Sequence, residues 1–259
     1  MKDIHFYKYQ GTGNDFVIID DRQNSFPQQD TALIQRLCHR KYGVGSDGLI
    51  LLQSHASYDF EMVYFNADAT TSMCGNGSRC AVHLAHYLGM IDKSCTFYAE
   101  DGAHQASIDH QGLIHVHMVD VQGMEVLEGG YFLNTGTRHY VREVENLSDF
   151  DVFGEGQKIR YAATFAPGGT NASFVEIKEG QVRMRIYERG VEDETLSSGT
   201  GVTAVALTMA ALKDLSSPVS VGTRGGQLQV AFKKKEDGSF TNIYMIGPAT
   251  MVFEGTVFV

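Results

Sequence analysis

Met73-Cys74-Gly75-Asn76-Gly77-Ser78-Arg79-Cys80 runs straight into the helical pattern of residues 81–88, and its reading decides how the rest of the sequence is understood. Ahead of it lies the apolar, strand-like run Phe60-Glu61-Met62-Val63-Tyr64-Phe65. Behind it Val82, Leu84, Ala85 and Leu88 recur at roughly the 3.6-residue spacing of an amphipathic helix. The glycines therefore sit in a strand-to-helix turn with a thiol at its mouth. The first turn of a helix presents unpaired N–H groups and the positive end of the helix dipole, so it attracts anions and draws the pKa of a thiol placed there toward neutrality. Flanking glycines let a carboxylate approach the backbone closely. A lone cysteine in a tight turn reads as an inert packed thiol; the glycine bracket favours a reactive Cys74.

The turn has an echo. Ser198-Gly199-Thr200-Gly201 opens the apolar helix 202–212 as Cys74-Gly75-Asn76-Gly77 opens the first, and both come late in a series of short strands. The repeat predicts two halves of about 125 residues, each a sheet wrapped on its own hydrophobic helix, with both helix N-termini directed into the cleft between them. Two helix N-termini directed at one α-carboxylate would stabilise the charge that develops when the adjacent Cα–H is removed.

The other segments fit that plan. Residues 4–20 read as two strands around the turn Gly11-Thr12-Gly13-Asn14-Asp15, residues 30–40 as a helix with Leu33, Ile34 and Leu37 on one face, and 49–52 as a buried strand after the glycine-rich turn 42–48. Short strands follow at 96–99, 106–108 and 113–121, separated by the hairpin signals Asp101-Gly102 and Gln111-Gly112. Charge and glycine rise over 125–130, which reads as a loose connection. Strands are expected at 140–141, 172–177, 182–187, 215–221, 227–232, 243–246 and 251–259.

Composition narrows the function. A chain of 259 residues with 43% hydrophobic content buries a substantial core. A formal net charge of -10, with a single basic run at Lys233-Lys234-Lys235 beside the turn Glu236-Asp237-Gly238, argues against nucleic acid or an anionic membrane as partner. No apolar window is long enough for a membrane span, and the first residues carry no signal-peptide pattern, so a cytoplasmic protein is expected. The four cysteines, at 38, 74, 80 and 95, read as free thiols. The histidine pairs His83/His86 and His115/His117 lack a third ligand at motif spacing, so no metal site is expected.

At this point the sequence resembles diaminopimelate epimerases, a family of cofactor-independent amino-acid racemases and epimerases. The resemblance spans nearly the whole chain. Its segments are Gly11 to Val17, Tyr42 to Leu49, Asn66-Ala67-Asp68, Met73 to Cys80, Gly169-Thr170-Asn171, Tyr187-Glu188-Arg189-Gly190 and Glu194 to Gly201. It implies an α/β (α+β) fold of two pseudo-symmetric domains, each a mixed sheet wrapped on a central helix, with the active site in the inter-domain cleft. A C-terminal strand would return to pack with the first, so that residues 1–120 with 249–259 form the N-terminal half carrying Cys74 and 121–248 the C-terminal half carrying Ser198. The resemblance further implies no cofactor, a small-molecule amino-acid substrate and a homodimer. It also implies two-base chemistry, in which one cysteine thiolate removes the α-proton and a thiol opposite returns one with inversion. By this match Cys74 and Ser198 are the catalytic pair. Asn14, Asn66, Asn171, Glu188 and Arg189 would hold the amino and carboxylate groups, with Gly75-Asn76 and Gly199-Thr200 giving backbone donors to the α-carboxylate.

The departures are informative. Ser198 stands where the family has its second catalytic cysteine, and Thr137-Arg138-His139 where it has Asn-Pro-His, so Thr137 and Arg138 enter the substrate-binding set. Phe253 stands where a dimer-contacting tyrosine is common. The resemblance implies conversion of LL- to meso-diaminopimelate. The alternatives are a divergent paralogue using one-base racemisation or dehydration of another amino acid, and a non-catalytic amino-acid binding protein.

Overall fold

A computed structural model describes residues 3–259. The chain forms two compact units, Met1–Val116 with Gly247–Val259, and His117–Ile246.

In the first unit, β1 (Asp3–Gly11), β2 (Asn14–Asp20), α1 (Thr31–Cys38), β3 (Gly48–Gln53), β4 (Phe60–Asn66), α2 (Gly75–Tyr87), β5 (Ser94–Ala99), β6 (Gly102–Ile108) and β7 (Ile114–His117) follow in order. All six positions of β3 are buried, as befits a strand covered on both faces. Leu49 and Leu51 join Val17, Ile19, Ile34 and Leu37 in one core cluster beneath α1, while Ile50 meets the first turn of α2 on the other side. Asp30 caps α1 by accepting the Leu33 N–H, an ordinary acidic N-cap. Buried along residues 76–82 and again at Leu84 and Ala85, α2 packs on β1 to β4.

The second unit comprises β8 (Glu125–Leu127), β9 (Gly130–Asn134), β10 (Arg138–Glu143), α3 (Val152–Arg160), β11 (Asn171–Lys178), β12 (Gln181–Glu188), β13 (Asp193–Thr195), α4 (Gly199–Lys213), β14 (Val219–Thr223), β15 (Gly226–Lys234) and β16 (Phe240–Gly247). Its central helix α4 is buried nearly all round and packs on β10, β11, β12, β14 and β15. β17 (Thr250–Phe258) returns to the first unit and pairs antiparallel with β1, Asp3 opposite Phe258.

The repeat extends to the whole topology. β2 and β3 pair parallel across the α1 crossover, β3 and β4 antiparallel, and β4 and β5 parallel across α2. The same series recurs as β10 and β11 parallel across α3, β11 and β12 antiparallel, and β12 and β14 parallel across α4. Parallel neighbours require a crossover, and in both units a helix supplies it. The fold is α+β, with two repeated mixed sheets.

Three local expectations change. The stretch 125–130 is not a loose connection: it carries β8 and the turn into β9, with Glu125 opposite Phe132. The strand expected over 113–121 stops at His117, and Val121 makes only an isolated bridge to Phe240. α3 was not expected at all, because Gly154 and Gly156 interrupt its pattern. Among the described residues no helix is long and apolar enough to cross a membrane.

Candidate active site

Cys74 and Ser198 occupy the same local conformation in their respective units. Cys74 is the N-cap of α2 at φ -132°, ψ 111°, and its sulfur accepts the Gly77 N–H at 3.4 Å. Ser198 is the N-cap of α4 at φ -134°, ψ 121°, and its Oγ accepts the Gly201 N–H at 3.4 Å. The third helical residue is glycine in both for a steric reason. A Cβ on Gly77 would lie 3.2 Å from Ile50 Cδ1, and one on Gly201 only 2.6 Å from Ile186 Cδ1. Each cap thus rests on an isoleucine of the strand beneath it, and the glycine lets the first helical turn settle there.

Around Cys74, Asn14 at the start of β2 places its Oδ1 3.7 Å from the sulfur and accepts the Asn76 amide at 3.3 Å. Gly75 and Asn76 form the first helical turn beside it. Asn66 ends β4, and its amide nitrogen donates to Thr70 Oγ1 at 3.0 Å and Ser72 Oγ at 3.3 Å, bracing the loop that delivers Cys74. The other thiols are buried. Burial pushes Cys80 and Cys95 up to about 12 and also raises Cys38, so these three stay protonated near neutrality. Cys74 alone among the four is half-exposed.

In the second unit, β12 ends at Glu188, and β13 folds back so that Thr195 donates its hydroxyl to the Glu188 carboxyl. Burial raises the Glu188 carboxyl, against the hydrogen bonds from Thr195 and Ser198. Thr200, in the first turn of α4, bonds Thr137 Oγ1 and His139 Nε2, each at 3.0 Å. Its carbonyl accepts the Thr135 hydroxyl at 2.9 Å. The Asn171 amide is spent on the backbone, donating to the Arg138 carbonyl at 2.9 Å and accepting the Arg189 N–H at 2.8 Å. It ties the start of β10 to the end of β12. The Arg189 guanidinium donates to the Gly168 carbonyl at 3.2 Å. A Cβ on Gly168 would lie 3.4 Å from Arg138 Nη1, so both guanidiniums converge on this loop. Among the described residues neither arginine has a carboxylate partner within ion-pair distance, whereas nearby Arg160 is paired with Glu192 at 3.0 Å.

His139 was outside the sequence-derived site, although its polar neighbours before a strand signalled it. It is fully buried, its Nδ1 has no hydrogen-bond partner among the described residues, and burial lowers its pKa to about 3. The ring is therefore neutral at working pH. Unfolded, a histidine takes up its proton near 6.5, so between that value and about 3 the unfolded chain binds the extra proton and stability falls as pH falls. At pH 4.5 this loss should reach about 3 kcal/mol. Urea unfolding across that window should show the slope, and it should flatten in His139→Gln; parallel slopes in both proteins would remove the assignment. The histidines considered for metal have other roles: His83 bonds Tyr9 at 3.1 Å, His115 bonds Asp109 at 3.1 Å, and His117 packs edge-on to Tyr244.

Asn14, Cys74 and Asn76 thus meet in one unit. Glu188 with Ser198, Thr137 with Thr200, and Asn171 with Arg138 and Arg189 meet in the other. Sequence reasoning passed over His139 and Thr195.

The known proteins this chain is similar to agree with the repeat. The family described as diaminopimelate epimerase matches residues 6–123 and again 131–252, one match per repeat. A diaminopimelate epimerase of Flavobacterium psychrophilum is 50% identical over 257 residues, covering 98% of this chain and 100% of that protein. One of Chlorobaculum tepidum is 40% identical over 258 residues, covering 95% and 98%. Among solved structures, a phenazine biosynthesis protein of the PhzF family from Bacillus anthracis superposes with a TM-score of 0.80 at 15% identity over 100% of both chains, which speaks for the fold alone. The chain belongs to the diaminopimelate epimerase family.

Proposed function

We propose that this protein is a pyridoxal-phosphate-independent amino-acid epimerase that interconverts LL- and meso-diaminopimelate, a step toward lysine and cell-wall precursors. The observation that carries the reading is the pair of matched N-caps, Cys74 and Ser198, one bearing a thiol and the other a hydroxyl in the same backbone conformation. In this reading the Cys74 thiolate takes the Cα proton. The N–H groups of Gly75 and Asn76, and those of Gly199 and Thr200, receive the α-carboxylate as its charge grows. Ser198 is the counterpart that returns a proton. Asn14 and Glu188 take the α-ammonium. Asn66, Thr137, Arg138 and Arg189 hold the distal amino and carboxylate groups, with Asn171 fixing the backbone of the two arginines, and the guanidiniums of Arg138 and Arg189, which have no carboxylate partner among the described residues, favour an anionic distal end.

A second reading has its own support. The Ser198 hydroxyl is engaged with Glu188 and the Gly201 N–H, and an alcohol is a poor proton donor, which favours one-base chemistry at Cys74. Incubation in deuterium oxide with LL- and meso-diaminopimelate and a panel of other amino acids separates the cases. Exchange with inversion of diaminopimelate is the expected result, and exchange without inversion means one-base chemistry. Binding with no exchange of any amino acid would sink both enzymatic readings in favour of a binding protein.

The same proposal includes a cytoplasmic homodimer. Val252, Phe253 and Phe258 are large exposed apolar side chains on one strand, β17, a pattern suited to association. Sedimentation velocity should give twice the 28.5 kDa chain mass; a monomer at micromolar concentration would refute it.

A further inference from the structure

Two amides near the Cys74 sulfur are held end to end between an anion and a cation. Asn14 Nδ2 donates to Asp47 Oδ2 at 2.7 Å. A carboxylate only accepts, so the Asn14 oxygen must point the other way, where it accepts Asn76 Nδ2 at 3.3 Å and lies 3.7 Å from Cys74 Sγ. At the far end Arg79 Nη1 donates to Asn76 Oδ1 at 3.0 Å. A guanidinium only donates, so the Asn76 amide is fixed as well. Neither side chain can turn over without setting donor against donor or acceptor against acceptor.

Both ends are anchored. Asp47 takes Arg40 Nη2 at 2.8 Å and the Asp15 N–H at 3.2 Å. Arg79 is fully buried, and it also donates from Nε to the Pro248 carbonyl at 3.2 Å and from Nη2 to Thr12 Oγ1 at 3.0 Å. Gly11 makes room for it, since a Cβ there would lie 3.1 Å from Arg79 Nη2. Burial draws the guanidinium down to about 10, still charged at neutral pH. Burying a guanidinium is costly, and an apolar side chain of similar volume often folds as well or better. An amide chain that ends near a thiol gives this one a use.

We propose that Asp47 and Arg79 are positioning residues for Cys74, together holding Asn14 so that its oxygen, and not its nitrogen, faces the sulfur. This rests on the reading of Cys74 as the proton-transfer group. The Asn14 oxygen favours the thiol as a donor, while the Gly77 N–H and the α2 N-terminus favour the thiolate. The amide chain thereby sets the balance between the acid and base forms. The charged and titratable groups that act on this turn within the first unit are Arg79 and Cys80 of α2, and Asp47 with Asp15, Arg40 and Lys8 behind Asn14.

The test is the pH dependence of Cys74 alkylation by iodoacetamide, read at the Cys74 peptide by mass spectrometry on the intact protein. Asp47→Asn removes one of the two anchors, so the Asn14 amide is held less firmly with its oxygen toward the sulfur, the apparent pKa should fall and alkylation below it should rise about 3- to 10-fold. In an Asn14→Ala background the same substitution should change nothing, whereas a through-space charge effect would give the same shift in both backgrounds and overturn the amide chain. Arg79→Lys keeps a charged donor and should stay close to wild type. An unmoved titration in Asp47→Asn, a half-exposed site where folding is not at stake, overturns the proposal. No amino-acid substrate enters this measurement, so a failure of the proposed epimerase activity and a failure of the positioning role are read separately.

Discussion

Replacing Ser198 with cysteine is expected to raise the epimerisation of diaminopimelate by about 10²–10⁴-fold, the usual contribution of a positioned acid or base. Ser198 already has the backbone conformation, the helix end and the glycine spacing of Cys74; what it lacks is acidity. The neighbouring Glu188 does not supply it: burial raises that carboxyl, yet a carboxyl remains far more acidic than an alcohol, so its carboxylate cannot take the hydroxyl proton. A thiol at the same N-cap would sit under the same dipole that acts on Cys74. Chiral chromatography of the LL and meso forms gives the rate. An unchanged rate in Ser198→Cys would end the two-base reading and leave one-base chemistry at Cys74 in possession of the site.

The second large effect falls on the opposite cap. Cys74→Ala should abolish solvent exchange of the α-hydrogen, a loss of about 10³-fold or more. Cys74→Ser is the sharper variant, because serine is itself a favoured N-cap and keeps the bond from the Gly77 N–H. That variant should match the wild type in stability to within about 1 kcal/mol and still fail to exchange. Exchange surviving in both would show that another group takes the proton.

How far the sequence could be read depended on whether an element carried its own signal. α2 and α4 announced themselves through glycines ahead of apolar runs, and the two turns revealed the duplication. α3 carried no such signal. Gly156 is there because a Cβ would lie 2.3 Å from Tyr187 Cβ, so the contact that fixes the helix also removes the residue type that would advertise it. The repeat could have located it nonetheless, since α3 stands where α1 does. β9 was hidden similarly: Gly130 yields to the Tyr140 ring, which would meet a Cβ at 2.6 Å. In the site, residues on the glycine turns were legible. His139, Asp47 and Arg79 act through partners distant in sequence, and their meaning came only with the distances.

The matched caps bear on how such a chain drifts. In the proposed reaction the side chain at the head of each of these helices has two duties, closing the first turn and moving a proton, and serine fulfils the first as well as cysteine does. Selection for a folded, abundant protein therefore does not defend the chemistry at position 198. A melting curve would pass over the exchange of sulfur for oxygen, and only an assay that follows the α-hydrogen would register it.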